Sequence, residues 1–152
     1  MAVDIIIDIP QLKQLQAALL KAADSTSIEL NTAIKKSAIF IQGQAAREAP
    51  VDTGRLRSSI GVQLLPLKAV VSPKVDYAIY IHQGTRPHFP PIRAIQTWAV
   101  RHGISPYALA LAISRRGTKA NPFMKRAAES SKESVRMFFG EALVAITKVI
   151  KE

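Results

Sequence analysis

Two hydrophobic periodicities divide the first fifty residues of the chain. Residues 2–9 alternate apolar side chains with Asp4 and Asp8, which predicts a short strand at a sheet edge, where outward carboxylates discourage unwanted pairing. Pro10 then occupies a position where a helix can begin without losing a hydrogen bond. The apolar stripe of this predicted first helix is Leu12, Leu15, Leu19 and Ala22.

A second, longer helix is predicted from about Ser27 to Glu48. Thr26 followed three residues later by Glu29 is the pattern of a capping box, so we expect the first helix to end near Asp24. The apolar face of the second helix is broad, which predicts that the helix packs on the sheet and also contacts a second, unidentified surface. The stripe is Leu30, Ile34, Ser37, Ile41 and Ala45, flanked by Ala33, Phe40 and Gln44.

The segment after this helix predicts a tight corner between a helix and a strand. Pro50 ends the helix, because the residue before a proline is driven out of the helical region. Asp52 and Thr53 can bond nearby backbone amides, and Gly54 can adopt a positive φ. We therefore interpret Pro50, Asp52, Thr53 and Gly54 as structural rather than reactive residues.

A β-hairpin and an extended connector are predicted next. Arg55–Leu65 alternates apolar and polar positions, turns at Pro66 and returns as Leu67–Ser72. Tyr77–Thr85 fits a third strand by composition, and it fits equally well one or two helical turns that end at Gly84. The proline-stiffened segment Arg86–Pro91 is predicted to be an extended connector.

The second half of the chain predicts helices. One opens at Pro91 and stops at Gly103, with Ile92, Ile95, Trp98 and Ala99 facing the core. The next is capped by Ser105 and stopped by Gly117, with Leu109, Ala112 and Ile113 inward. A last helix from about Pro122 to Ile150 would measure about 42 Å, so we expect part of its apolar face to meet another subunit. These elements predict an α+β fold, with a small antiparallel sheet (the hairpin and the N-terminal strand) packed by long helices, in a single domain over residues 1–152.

The charge of the chain requires an explanation of its own. The 152 residues carry a formal net charge of +10, and basic residues concentrate between positions 86 and 126. A strongly basic small domain can bind nucleic acid through its phosphates or dock on an acidic protein surface, and composition leaves both alternatives open. The absence of cysteine excludes disulfides and thiolate chemistry.

No pattern in the sequence predicts catalysis, a cofactor or a metal site. His82, His88 and His102 are spaced unlike any recognised metal motif, and the eleven acidic residues occur singly. Residues 1–9 lack the basic start of a signal peptide, and no apolar run approaches the length of a membrane span. We expect a non-enzymatic protein with no membrane contact.

Three blocks of the sequence, in this order, resemble a tailed-bacteriophage tail-component family. The blocks are Ala49–Ile60, Tyr77–Thr85 and Gly117–Met124, and Trp98–Ile104 looks typical of one branch. The family is typified by the gene-10 product of a lambdoid siphophage and is related in role to minor tail protein Z. The resemblance covers roughly Ile34 to Ala128. Family members often carry Glu where this chain has His82.

The resemblance implies a structural protein of the virion neck, which serves in tail completion or in head–tail joining. Such subunits form a ring, expected to be sixfold, between the portal and adaptor proteins and the tail terminator or tail tube, after assembly in the host cytoplasm. The basic residues would then contact acidic surfaces of those partners or the packaged DNA. A small basic nucleic-acid-binding protein is the alternative. The residues predicted to lie at subunit or partner interfaces are Arg55, Arg57, Tyr80, His82, Arg86, Arg115, Arg116, Lys119 and Phe138, and Gly84 and Gly117 join the corner as structural residues.

Overall fold

The computed structural model describes the chain from residue 10 to residue 151, and its side chains from residue 20 to residue 149. The predicted strand over residues 2–9 lies outside these described residues. The elements are α1 (Pro10–Glu48), α2 (Arg55–Ser58), β1 (Ile60–Leu65), β2 (Lys68–Pro73), α3 (Ala78–Gln83), α4 (Ile92–Arg101), α5 (Pro106–Arg116), α6 (Phe123–Ser130) and α7 (Lys132–Lys151). The predicted α+β class is confirmed, with helices predominating.

The first long helix, α1, is continuous, so the predicted break near Asp24 is wrong. The Thr26 hydroxyl does not cap a new helix. It donates instead to the carbonyl of Ala22 at 2.7 Å, the bond that a threonine makes inside a helix. Three residues of the predicted stripe or its flanks are buried as expected, Ala33, Ser37 and Ala45. The helix ends at Glu48, two residues before Pro50, as predicted.

The corner leads into a helical turn, not directly into a strand, so the predicted strand over Arg55–Leu65 begins too early. Gly54 has a φ of 80° and caps the short helix α2. The Ser58 hydroxyl donates to the Arg55 carbonyl, and the Ser59 hydroxyl donates to the Leu56 carbonyl. Both bonds reach back three residues, as in a helical turn. Leu56 in this turn and Ile60 in β1 are both buried. Two buried apolar residues separated by an even number of positions resemble one face of a strand, which explains the wrong prediction.

The two strands form one antiparallel hairpin around the two-residue turn Pro66–Leu67. The Lys74 amide donates to the Ser59 carbonyl at 3.0 Å, which fixes the register. Because backbone groups of successive residues point to opposite sides of a strand, Val62 and Leu64 direct theirs away from β2. Ile60 shares that side, and its carbonyl accepts from the Gln42 side chain on α1 at 2.7 Å.

The ambiguous segment before Gly84 is the helix α3, and the following residues form the predicted extended connector. Helices α4 and α5 begin and end close to their predicted residues, and the Ser105 hydroxyl accepts from the Ala108 amide as a cap. In α4, Ala99 is buried as predicted, but Ile92 and Trp98 are exposed.

The predicted single C-terminal helix is wrong, because it is interrupted at Ser131. This serine is fully buried, and its carbonyl accepts from Val135 at 3.0 Å in the first turn of α7. The interruption falls in the polar stretch Glu129–Glu133, which separates the two apolar stripes. The prediction of a subunit contact from the length of one uninterrupted helix therefore loses its basis.

The chain divides into two compact units. The first unit comprises the chain up to Phe40, Val62–Val70 and the chain from Ser131. Its buried side chains are small, Ala33, Ser37, Ala38, Ser131 and Ala142. Within it, α1 and α7 run antiparallel, because Phe40 packs edge-on against Phe138 at 6.0 Å and Lys36 lies 3.2 Å from Glu141.

The second unit comprises Ile41–Gly61 and Val71–Ser130. Its core contains three larger side chains, Leu56, Ile60 and Phe123, packed with Ala45, Ala49, Ala78 and Ala127. Within the described residues of both units, no helix is long and apolar enough to cross a membrane.

Candidate partner-binding surface

Two loops of the second unit are joined by paired Gly-Thr steps. Thr85 and Thr118 form an isolated antiparallel bridge with reciprocal amide-to-carbonyl bonds of 3.2 Å. Their hydroxyl oxygens lie 3.0 Å apart, and the Thr85 hydroxyl also accepts from the Thr118 amide. The bridge therefore connects the start of the connector to the end of α5 through both backbone and side chains.

The glycine before each of these threonines is required by the bridge. Gly84 has φ 71° and ψ −175°, and Gly117 has φ 69° and ψ −160°. This region of backbone space is almost exclusive to glycine. A Cβ on Gly117 would collide with the Thr85 carbonyl oxygen, and one on Gly84 would collide with that of Thr118. The sequence placed both residues correctly as element ends, but their close mutual approach was not predictable from it.

The connector continues antiparallel to α5 beyond the bridge. The His88 amide donates to the Ile113 carbonyl at 3.4 Å, and the Phe89 ring lies 6.4 Å from that of Tyr107 in the first turn of α5. Both aromatic rings are exposed. An aromatic pair thus lies at one end of α5, and the Gly-Thr bridge lies at the other.

Four cations surround the bridge, and we call them the basic surface: Arg86, Arg115, Arg116 and Lys119. Arg86 and Lys119 each follow a bridging threonine, and Arg115 and Arg116 end α5. All four are exposed, and none forms an ion pair with any residue that the structure describes. Arg115 and Arg116 lie in the last turn of α5, where cations interact favourably with the negative end of the helix dipole. This interaction does not account for Arg86 and Lys119. The arrangement is suited to an anionic partner.

Two other cations of the second unit, Arg101 and Arg126, form ion pairs within it. The Arg101 guanidinium bonds the Asp52 carboxylate, so Asp52 joins the corner to α4 and does not bond nearby amides as predicted. Arg126 lies 2.7 Å from the Glu48 carboxylate and donates to the Asn121 side chain at 2.7 Å. These two ion pairs connect elements of the fold, whereas the four clustered cations of the basic surface have no such partner among the described residues.

The histidines do not come together. The His102 ring stacks on Trp98 at 4.0 Å, and its Nδ1 lies 2.8 Å from the Trp98 carbonyl. His82 packs edge-on against Phe123 at 5.5 Å, and its buried Nδ1 has no partner in the structure. It borders an open cleft of about 480 Å³ beside Lys74, Asp76 and Met124. No cluster of metal-ligating side chains occurs among the described residues.

The remaining predicted interface residues are distributed over both units. Arg55 and Arg57 are exposed on α2, and Tyr80 is exposed on α3. Phe138 packs against Phe40 of its own chain. The predicted interface residues did not include Phe89 and Tyr107. The sequence shows one aromatic residue in the connector and one directly after Pro106, and these could have been proposed as exposed contact residues. Their pairing depends on the fold.

Comparison with known proteins gives one family. Residues 13–84 match the model of a family described as "Bacteriophage HK97-gp10, putative tail-component". The match extends from α1 to the glycine that ends α3, and the bridge, α4, α5 and the long C-terminal helix follow it. No curated protein and no solved structure matches the chain. The match supports a structural role in the virion. It confirms, over residues 13–84, the resemblance of this chain to a bacteriophage tail-component family.

Proposed function

We propose that the chain is a structural subunit of the phage neck, which forms a ring in tail completion or head–tail joining. The observation that carries the proposal is the tail-component family match over residues 13–84. The ring, expected to be sixfold, would link the portal and adaptor side to the tail terminator or tail tube. Head-to-tail contacts between copies close such rings. The protein would assemble in the host cytoplasm and remain in the neck of the virion.

The basic surface is the part of the molecule best suited to the neighbouring protein. The second unit has twelve Lys and Arg residues and four Asp and Glu residues, a formal charge of +8. Exposed Phe89 and Tyr107 lie at the other end of α5, so the same unit offers both aromatic residues and arginines, the residue types in which binding hot spots are rich. We infer an acidic partner surface, and such complementarity raises the rate and specificity of docking.

The test is complementation of a phage that cannot produce this protein. We expect Arg115→Glu with Arg116→Glu to leave filled heads and tails unjoined in electron micrographs, because two attractive charges become repulsive. Lys132→Glu with Lys148→Glu is the control, since it makes the same charge change on exposed positions of α7. Normal titres from the arginine variant would refute the assignment of the basic surface.

Nucleic-acid binding is the second candidate, and the unpaired cations favour it. Contacts with phosphates release counterions, so such binding weakens steeply as salt rises. Retardation of duplex DNA that disappears between low and physiological salt, together with joined virions from the arginine variant, would favour this alternative.

A further inference from the structure

A groove in the first unit is not filled by any residue that the structure describes. It has a volume of about 330 Å³ and is lined by Ile28, Asn31, Ile34 and Lys35 of α1 and by Leu64 and Leu65 of β1. Ile28 is 64% exposed, Leu64 49% and Leu65 42%. Large aliphatic side chains at such exposure on both walls indicate a surface that is covered in the assembled state.

The groove lies along an unpaired strand edge. Val62 and Leu64 direct their backbone N–H and C=O groups away from β2, and no further strand pairs with β1 in the part of the chain that the structure describes. A two-stranded sheet is marginal alone, and a free edge accepts another extended segment. The groove therefore offers backbone hydrogen bonds as well as apolar contact.

The turn at the end of this edge is held in an unusual conformation. Leu67 has a φ of 52°, which is rare for a residue with a branched side chain. The Asn31 side chain accepts from the Leu67 amide at 2.9 Å and so anchors the turn to α1. The edge is consequently presented by a fixed hairpin.

One cation in the groove, Lys35, has no acidic partner within residues 10–151. Its neighbour Lys36, by contrast, is paired with Glu141. An occupant with an aliphatic face and a net negative charge would fill the walls and be attracted to the lysine. Residues 3–9, Val-Asp-Ile-Ile-Ile-Asp-Ile, have this pattern.

These residues cannot reach the groove of their own chain. They directly precede Pro10, and the first groove residue, Ile28, lies eighteen residues further along the continuous helix α1. Eighteen helical residues rise about 27 Å, at 1.5 Å per residue. Seven extended residues span about 23 Å and would also have to reverse direction. They end short of Ile28 and cannot lie along β1.

We propose that residues 3–9 of one copy add as a strand to the free edge of β1 in a neighbouring copy and fill its groove. Val3, Ile5, Ile7 and Ile9 then share the face that fills the groove, and Asp4 and Asp8 lie on the opposite face of the added strand. The proposal adds a specific contact between copies to the proposed ring. It rests on that proposed function, because the ring supplies the neighbouring copy. Because the contact joins two different surfaces, it propagates from subunit to subunit and closes in a ring.

The test uses cysteine cross-linking, for which this cysteine-free chain is well suited. Full-length Ile7→Cys and Gln63→Cys chains carrying different tags are co-expressed, purified through both tags and treated with a short bismaleimide. We expect a covalent dimer of the two chains on a denaturing gel. Ile7→Cys with Gln96→Cys, an exposed residue of α4, is the control and should give only background.

Two further variants separate strand addition from accidental proximity. Ile5→Asp places a charge on the apolar face and should reduce the cross-link about tenfold or more, because a buried unpaired carboxylate is costly. Ile6→Asp changes the face that already carries Asp4 and Asp8, and most of the cross-link should remain. No cross-link between Ile7→Cys and Gln63→Cys, or an equal loss in both aspartate variants, overturns the proposal. Either result with intact complementation by the wild-type chain would leave the neck function standing.

Discussion

The two compact units differ in how they use their large side chains. The second unit buries Leu56, Ile60 and Phe123 among alanines, and it has a formal charge of +8. The first unit buries mainly alanines and serines and leaves many large aliphatic residues exposed, among them Ile28, Leu64 and Leu143. It has nine Lys and Arg and seven Asp and Glu residues, a charge of +2. Both units expose large apolar side chains, so the difference lies in core and charge: the strongly positive second unit suits docking to an acidic molecule, and the near-neutral first unit suits contact between copies.

The largest expected effect tests this difference in the two cores. Phe123→Ala should lower the free energy of unfolding by about 3–5 kcal/mol, because it removes a fully buried ring and leaves a cavity. Phe138→Ala in the first unit should cost clearly less, since its ring is only partly buried. Urea unfolding followed by circular dichroism measures both variants, and equal losses would contradict the contrast between the units.

The Gly-Thr bridge should be nearly as sensitive. Gly117→Ala combines an unfavourable backbone conformation with a collision against Thr85, so we expect a loss of about 2–4 kcal/mol. Gly103→Ala is the matched control, because Gly103 also has a positive φ, 67°, but no atom lies within 4 Å of its Cβ position. The difference between the two variants isolates the cost of the collision, and a Gly117→Ala chain no less stable than Gly103→Ala would remove the argument for a rigid bridge.

The surface ion pairs should have the smallest effect. Glu48→Gln removes the charge that faces Arg126 while keeping the shape of the side chain, and both groups are partly exposed. Such pairs contribute at most about 1 kcal/mol, so the unfolding midpoint should change little and the change should shrink in high salt. Glu133→Gln, which removes a still more exposed pair with Arg136, provides the lower reference. A large loss in Glu48→Gln would mean that the charge of the second unit is part of its stability.

Local patterns predicted much of this fold. Pro50, Ser105 and Gly117 marked the ends of helices correctly, since their effects act through their own backbone and nearest neighbours. The errors arose where tertiary contacts overrode local preference. Thr26 resembled a cap but bonds inside a helix, and the alternation at Leu56 belongs to a helical turn over the core.

The candidate sites were predictable only in part. The concentration of basic residues was evident from the sequence, but which of them remain unpaired depends on distant partners such as Asp52 and Glu48. The groove was not predicted at all. Its walls come from α1 and β1, and the exposure of Leu64 contradicts the alternation that suggested a buried face.

Each of the two units is built from segments that alternate along the chain. The chain passes from one to the other after Phe40, Gly61, Val70 and Ser130, so neither unit is a continuous stretch of polypeptide. No truncated gene can therefore encode one of them alone. A single proteolytic cut in the turn Pro66–Leu67 would produce two fragments that each contain pieces of both units, and we expect these fragments to stay together until denaturant is added.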